Sequence, residues 1–184
     1  MRIVAGALKG RRLEGPDWDG LRPTSDSLRE TLFNVLGPTV AGARVMDVFA
    51  GTGAVGLEAL SRGAASAAFV EQDARAIRLL ERNIAHCGAE NACVIIRGDF
   101  MKTRAQRMDS PIRYDLVFLD PPYDIPAIET ALAAAASLTV PGGRIVFEHS
   151  RRRSLPERVP GAVRYRVLQA GDSALSFYTA SEGA

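Results

Sequence analysis

The chain has 184 residues, 47% hydrophobic and 24% charged, with a net charge of +2. That balance gives one soluble domain with a packed core and a small appendage, and excludes a disordered or fibrous chain. So small a charge permits a nucleic-acid partner without demanding one, so the placement of the basic residues carries the information. The cysteines Cys87 and Cys93 and the histidines His86 and His149 lack metal-ligand spacing, so no metal is expected, and the cysteines read as core hydrophobes in a reducing compartment. The opening MRIVAGALKGRR lacks the apolar run of a signal peptide, and the alanine-rich residues 131–136 are too few to cross a bilayer, so a cytoplasmic protein is expected.

In chain order, Arg2, Lys9, Arg11 and Arg12 mass ahead of the first acid, Glu14. Gly6 and Gly10 bracket a turn between residues 2–5 and 11–13, which predicts a β-hairpin. A loop over 16–20 leads through Leu21-Arg22-Pro23-Thr24 to a predicted helix. Leu28, Leu32, Val35 and Leu36 give its stripe, Ser27 and Glu30 its capping box, and Gly37-Pro38 its stop. Arg22 precedes the helix and Arg29 lies off the stripe. Singly, each basic residue reads as solvated surface; massed before the main domain, they read as a phosphate-binding arm. The expected division is a basic hairpin-and-helix extension over 1–40 and a main domain over 41–184.

The main domain alternates predicted strands (44–50, 65–70, 93–96, 114–120, 144–148) with helices over 54–62, 73–87 and 125–137. Two last strands, 163–168 and 174–179, meet across Gly171-Asp172. This order predicts an α/β fold, a doubly wound, mostly parallel sheet flanked by helices and closed by antiparallel strands.

Two stretches carry chemistry. In the first, DVFAGTGAVG, Gly51, Gly53 and Gly56 follow a strand and Glu71 ends the next one, which satisfies a dinucleotide fingerprint. An NAD-type oxidoreductase is therefore one reading. However, a pyrophosphate wants helix N–H groups with no carboxylate beside them, and Asp47 stands just ahead of the glycines. A carboxylate there suits the amino-acid end of S-adenosylmethionine, directly or through a water. Glu71 can accept from both ribose hydroxyls and Asp99 from the adenine amine, with Phe100 or Ile96 against the ring. Ala50, Thr52 and Gln72 complete the expected cofactor set. Helix capping is the competing role for these acids, above all for Asp73 and Asp99.

The second stretch is YDLVFLDPPY. Leu116 to Leu119 read as a strand buried on both faces, and Pro121 and Pro122 must end it. By themselves Asp-Pro-Pro read equally as a turn. With Tyr123 they suit a flat exocyclic amine, whose lone pair is delocalised into its ring. The Asp120 carboxylate can accept one N–H of such an amine and the Pro121 carbonyl the other, while Tyr123 stacks on the base.

The segments DVFAGTGAVGLEALSRGA, FVEQD, RGDF and LVFLDPPY resemble class I S-adenosylmethionine-dependent methyltransferases. RIVAGALKGRRL, LRPTSDSLRETLFNVL and GDSALSFY narrow the resemblance to the bacterial 16S rRNA guanine-N2 methyltransferases of the RsmD type, over residues 2–178. The resemblance implies a Rossmann-like sheet and methyl transfer from S-adenosylmethionine, leaving S-adenosylhomocysteine. The acceptor it implies is the N2 of one guanine in 16S rRNA, in an assembling or assembled 30S particle. Nothing in the sequence suggests an obligate protein partner, so a monomer is expected. The resemblance implies a catalytic Asp120, Pro121, Pro122 and Tyr123, with Asp120 also at the cofactor, and RNA contacts from Arg2, Lys9, Arg11, Arg12, Arg22, Thr24 and Arg29. Ser27 replaces the first arginine of the family's T-x-D-R-x-R-E pattern, removing one candidate RNA contact. Arg151, Arg152 and Arg153 either extend the basic surface or form a solvated loop. A DNA adenine-N6 methyltransferase would share DPPY, but no insertion here is large enough for a target-reading domain. A catalytically dead RNA-binding module would have lost the acceptors.

Overall fold

The computed structural model of the protein describes residues 1–18, 24–107, 112–122, 125 and 127–181, with 104–107 as backbone. The chain divides into two units, Met1–Phe100 and Met101–Ala184.

In the first unit, β1 (Arg44–Val48), β2 (Ser66–Glu71) and β3 (Cys93–Arg97) lie in the order β3-β2-β1. All pair in parallel, Asp47 opposite Phe69 and Glu71 opposite Arg97. Parallel pairing needs crossovers, supplied by α2 (Ala54–Ser61) and α3 (Ala74–Cys87). Asp73 caps α3 by accepting the Arg75 and Ala76 N–H groups, and Gly88 ends it at φ 65°. The Arg75 side chain and these N–H groups hold the Asp73 carboxyl below its usual range. Ahead of the sheet lies α1 (Asp26–Leu36). Its cap is Ser25, which accepts the Leu28 N–H at 3.2 Å, not the predicted Ser27. A 3₁₀ turn, Gly37–Val40, follows the helix.

The predicted hairpin contracts to a single antiparallel bridge, Arg2 with Arg12. Further backbone bonds close the arm on itself, Ile3 N–H to the Arg11 carbonyl and Gly10 N–H to the Ile3 carbonyl, and others tie it to α2. The fully buried Glu58 accepts the Val4 and Ala5 N–H groups at 2.7 and 3.0 Å. Ser61 Oγ donates to the Ala5 carbonyl and accepts the Leu8 N–H, and the Ser61 carbonyl accepts the Ala7 N–H. Arg62 bonds Glu58 and lies over the Phe33 ring of α1, 4.9 Å from its centroid. Ile3 and Leu13 enter the same core as Leu57, Phe69, Leu80 and Ile84. Arm and α1 belong to the first unit, Met1–Phe100.

Between β3 and the next strand runs α4 (Phe100–Arg107), which the sequence reading lacks because MKTRAQR carries no apolar stripe. The second unit then holds β4 (Tyr114–Leu119), α5 (Ile128–Leu138), β5 (Thr139–Ser150), β6 (Arg158–Val159), β7 (Ala162–Ala170) and β8 (Ser173–Ala180). Their order is β4-β5-β8-β7-β6, with β4–β5 parallel and the other pairs antiparallel. The predicted antiparallel strands are present, and β6 extends them. Pro141-Gly142-Gly143 forms an excursion within β5, where Tyr114 pairs with Thr139 but Leu116 with Arg144. Only glycine fits at 143, where a Cβ would lie 2.6 Å from the Thr139 side chain. Among the described residues no helix is long and apolar enough to cross a membrane.

Candidate cofactor edge, acceptor motif and basic arm

Parallel pairing brings the carboxyl ends of β1, β2 and β3 to one edge, the place where ligands bind in open α/β sheets. At this edge β1 gives way to Phe49, whose φ of 64° lies in the left-handed region a Cβ-bearing residue rarely enters. The Phe49 ring meets the Phe100 ring edge-on, centroids 6.3 Å apart. The chain then turns tightly, Gly53 N–H to the Ala50 carbonyl at 2.7 Å, with Gly51 at φ 53° and Gly53 at φ 77°. Gly56 has a packing reason: a Cβ there would sit 2.3 Å from the Phe69 ring.

Two acids hold this loop. Glu71 Oε2 accepts the Gly51 N–H at 2.9 Å, and its Oε1 accepts the Gln72 and Asp73 N–H groups. The carboxylate is half-buried and keeps lone pairs for hydroxyl donors. Asp47 is 2% exposed, and its Oδ2 accepts the Gly56 N–H at 2.9 Å. Gly53 has no side chain to cap α2, so Asp47 caps it from the sheet. Asp47 thus braces the loop through the start of α2. Asp99 directly precedes α4, Phe100 is buried, and the Gly98 N–H donates to the Glu71 carbonyl. An adenosine fits such an edge: a half-buried carboxylate for the ribose, two aromatic rings, and an acid for the amine. A pyrophosphate does not, because Asp47 takes a first-turn donor of α2 and puts negative charge at that terminus.

In the second unit, β4 is buried from Leu116 to Leu119 and opens into Asp120, which is half-buried, then buried Pro121 and exposed Pro122. The Pro122 carbonyl accepts the Ile125 N–H at 3.0 Å, and α5 begins at Ile128. Tyr123 lies outside the described residues, as does Arg22.

The arm exposes Arg2, Lys9, Arg11 and Arg12, and Arg11 also donates to the His86 carbonyl at 2.6 Å. A cavity of about 310 Å³ opens between arm and α1, lined by Arg2, Lys9, Asp26, Ser27 and Glu30 among others. Thr24 is buried. Arg29 departs from expectation: its side chain is fully buried, donating to the carbonyls of Thr24 and Arg2 and to Asp26. A guanidinium so engaged is closed to phosphates, and Arg29 is corrected from RNA ligand to internal brace. Arg151 and Arg152 are exposed, while Arg153 bonds the Ile125 carbonyl.

Three residues escape the sequence reading. Phe49 carries backbone strain, which no side-chain pattern reveals. Glu58 is a lone acid in the apolar helix AVGLEALS. Asn83 interrupts the apolar stripe of Leu80, Ile84 and Cys87. The last two left a signal: a polar residue on a face otherwise fit only for burial.

The chain matches the family model described as Conserved hypothetical protein 95 over residues 1–179. It is 39% identical over 181 residues to "Ribosomal RNA small subunit methyltransferase D" of Escherichia coli strain K12, covering 92% of this chain and 89% of that one. To the protein of the same name from Haemophilus influenzae it is 36% identical, covering 92% and 93%. Among solved structures, "Putative methyltransferase yhhF from Escherichia coli" superposes with a TM-score of 0.86 at 35% identity, covering 100% of this chain and 99% of that one.

Proposed function

Because the chain belongs to the ribosomal RNA small subunit methyltransferase D family, we propose that it methylates the exocyclic N2 amine of one guanine in 16S rRNA. The methyl donor in this reading is S-adenosylmethionine, and the substrate is the RNA of an assembling or assembled 30S particle in the cytoplasm, met by a monomer. The observation that carries the reading is Asp120-Pro121 at the end of a buried strand, in a chain whose other strand ends form an adenosine-compatible edge.

When bound, S-adenosylmethionine supplies an electrophilic methyl carbon, so the protein's work is positioning. Glu71 would accept from the ribose hydroxyls, the Phe49–Phe100 pair would lie beside the adenine, and Asp99 would accept from its amine. Asp120 and the Pro121 carbonyl each accept one N–H of the guanine amine. Two fixed acceptors draw that nitrogen out of conjugation and aim its lone pair. The guanine must leave its stack to present the amine, and Tyr123 receives the ring. Arg2, Lys9, Arg11 and Arg12 meet backbone phosphates.

The test is methyl transfer to 30S particles from a strain lacking this gene, with the modified nucleotide mapped by mass. One modified guanine, dependent on the enzyme, is expected; modification of naked DNA adenine instead would overturn the reading. Asp120→Ala should lower turnover about a hundredfold or more, with S-adenosylhomocysteine binding retained. Equal loss of both would remove Asp120 from the role assigned. A thermal shift by S-adenosylhomocysteine, and none by a nicotinamide dinucleotide, separates this enzyme from an oxidoreductase.

A further inference from the structure

Asn83 of α3 is fully buried and joins two surfaces far apart in sequence. Its Nδ2 donates to the Thr52 carbonyl of the glycine loop at 2.9 Å and to the Glu14 carbonyl at 3.1 Å. Its Oδ1 accepts the Glu14 N–H at 2.8 Å. One amide thus holds both backbone polar groups of Glu14, at the end of the arm, and one carbonyl of the loop. A second thread runs beside it: Thr52 Oγ1 donates to Met1 sulfur at 3.8 Å, and the Met1 carbonyl accepts the Leu13 N–H. On the outer face of α3, Arg82 bonds the Glu14 side chain at 2.7 Å. The amide's donors and acceptor are all matched, so it cannot rotate without leaving a buried group unpaired.

We propose that Asn83 is a positioning residue for both the cofactor loop and the RNA-binding arm, so that filling the loop steadies the arm. The inference rests on the cofactor reading above and goes beyond it, since it assigns a linkage between two binding surfaces. Ligand contact with residues 51–53 fixes the Thr52 carbonyl, which fixes the Asn83 amide, which fixes Glu14. By reciprocity, an arm seated on RNA steadies the loop for its ligand. A side chain that only filled the core would lower stability without transmitting anything.

The experiment reads hydrogen exchange in residues 11–18 of the wild-type chain, with and without saturating S-adenosylhomocysteine, after calorimetry has established that the compound binds. Slowing of the Glu14 amide by roughly fivefold or more is expected. Asn83→Asp keeps an oxygen for the Glu14 N–H but loses the donor to Thr52 and Glu14. It should weaken S-adenosylhomocysteine binding about tenfold, and ligand should no longer slow exchange in the arm. Unchanged exchange in wild type on a bound ligand overturns the proposal, as does a folded Asn83→Asp chain binding within about twofold of wild type. Should the variant not fold, the wild-type exchange still decides. If wild type does not bind the compound at all, the cofactor reading itself fails, an outcome distinct from binding without protection.

Discussion

Asp47 in β1 accepts the N–H of Gly56 in α2 at 2.9 Å, so a carboxylate buried in the sheet caps the helix that follows the glycine loop. The negative charge sits at the positive end of α2, where it stabilises the helix terminus. Asp47→Leu removes the acceptor and leaves a buried N–H, at a cost of about 1–3 kcal/mol. Asp47→Asn can still accept and loses only the charge, so it should cost less than Asp47→Leu. Urea unfolding of both variants gives the order. Calorimetry with S-adenosylhomocysteine should show a weaker complex for each, because the loop hangs from this bond.

Arg29 and Arg12 are both arginines near the amino terminus, and opposite outcomes are expected from them. The Arg29 guanidinium joins the arm, through the Arg2 carbonyl, to the start of its own helix, through Thr24 and Asp26. Arg29→Met leaves the Thr24 and Arg2 carbonyls unmatched and should cost about 1–3 kcal/mol, while Asp26, partly exposed, returns to water. Arg12→Ala, on an exposed side chain, should leave the urea midpoint in place. It should weaken binding to an rRNA fragment and reduce the slope of log affinity against log salt by about one. An Arg29→Met chain as stable as wild type would contradict the bracing role.

Gly6 has φ 83°, and a Cβ there would lie 1.8 Å from the Ser61 carbonyl oxygen, which is backbone and cannot step aside. That carbonyl also accepts the Ala7 N–H at 2.7 Å. Gly6→Ala should therefore lift the arm from α2 before it disturbs the sheet. Limited proteolysis should cut the variant within its first fourteen or so residues while far-ultraviolet circular dichroism stays near wild type. Loss of RNA affinity with intact S-adenosylhomocysteine affinity would place the damage in the arm. Loss of both would show that the arm and loop respond together, as the Asn83 linkage requires.

The strand and helix order of the main domain was legible because each buried strand is a short apolar run with a turn residue at its end. Ala67 to Val70 and Leu116 to Leu119 follow that rule, and Val45 to Val48 follows it except for the buried Asp47. The acid positions were legible for the same reason, since parallel strands place their ends on one edge. Hydrogen-bond partners were not. Nothing in the spacing of Asp47 tells a cofactor ligand from a cap on Gly56, and nothing in RETLF separates Arg29 from a solvent-facing arginine. The division at residue 40 follows charge, and spacing does not reveal that Ile3 and Leu13 bury themselves with Leu57 and Phe69. A charge-rich segment can still carry the few apolar residues that decide where it packs.

His149 gives a pH dependence of stability. Burial pushes its imidazole below the ordinary 6.5, and in the fold its Nε2 lies 2.9 Å from Ser176 Oγ and its Nδ1 2.9 Å from the Ser150 carbonyl. In the unfolded chain the ring titrates near its ordinary value, so between the folded and unfolded values only the unfolded chain holds the proton. Stability is then fully present above about pH 6.5 and is lost as pH falls toward the folded value, by at most about 1.36 kcal/mol per pH unit. His149→Gln cannot take up that proton. The difference in unfolding free energy between wild type and variant should be constant above about pH 7 and narrow as pH falls to about 5.5. Urea titrations across that range measure it, and His86 cancels because both chains carry it. A difference independent of pH would mean that His149 titrates alike folded and unfolded, and that its burial between β5 and β8 carries no protonation cost.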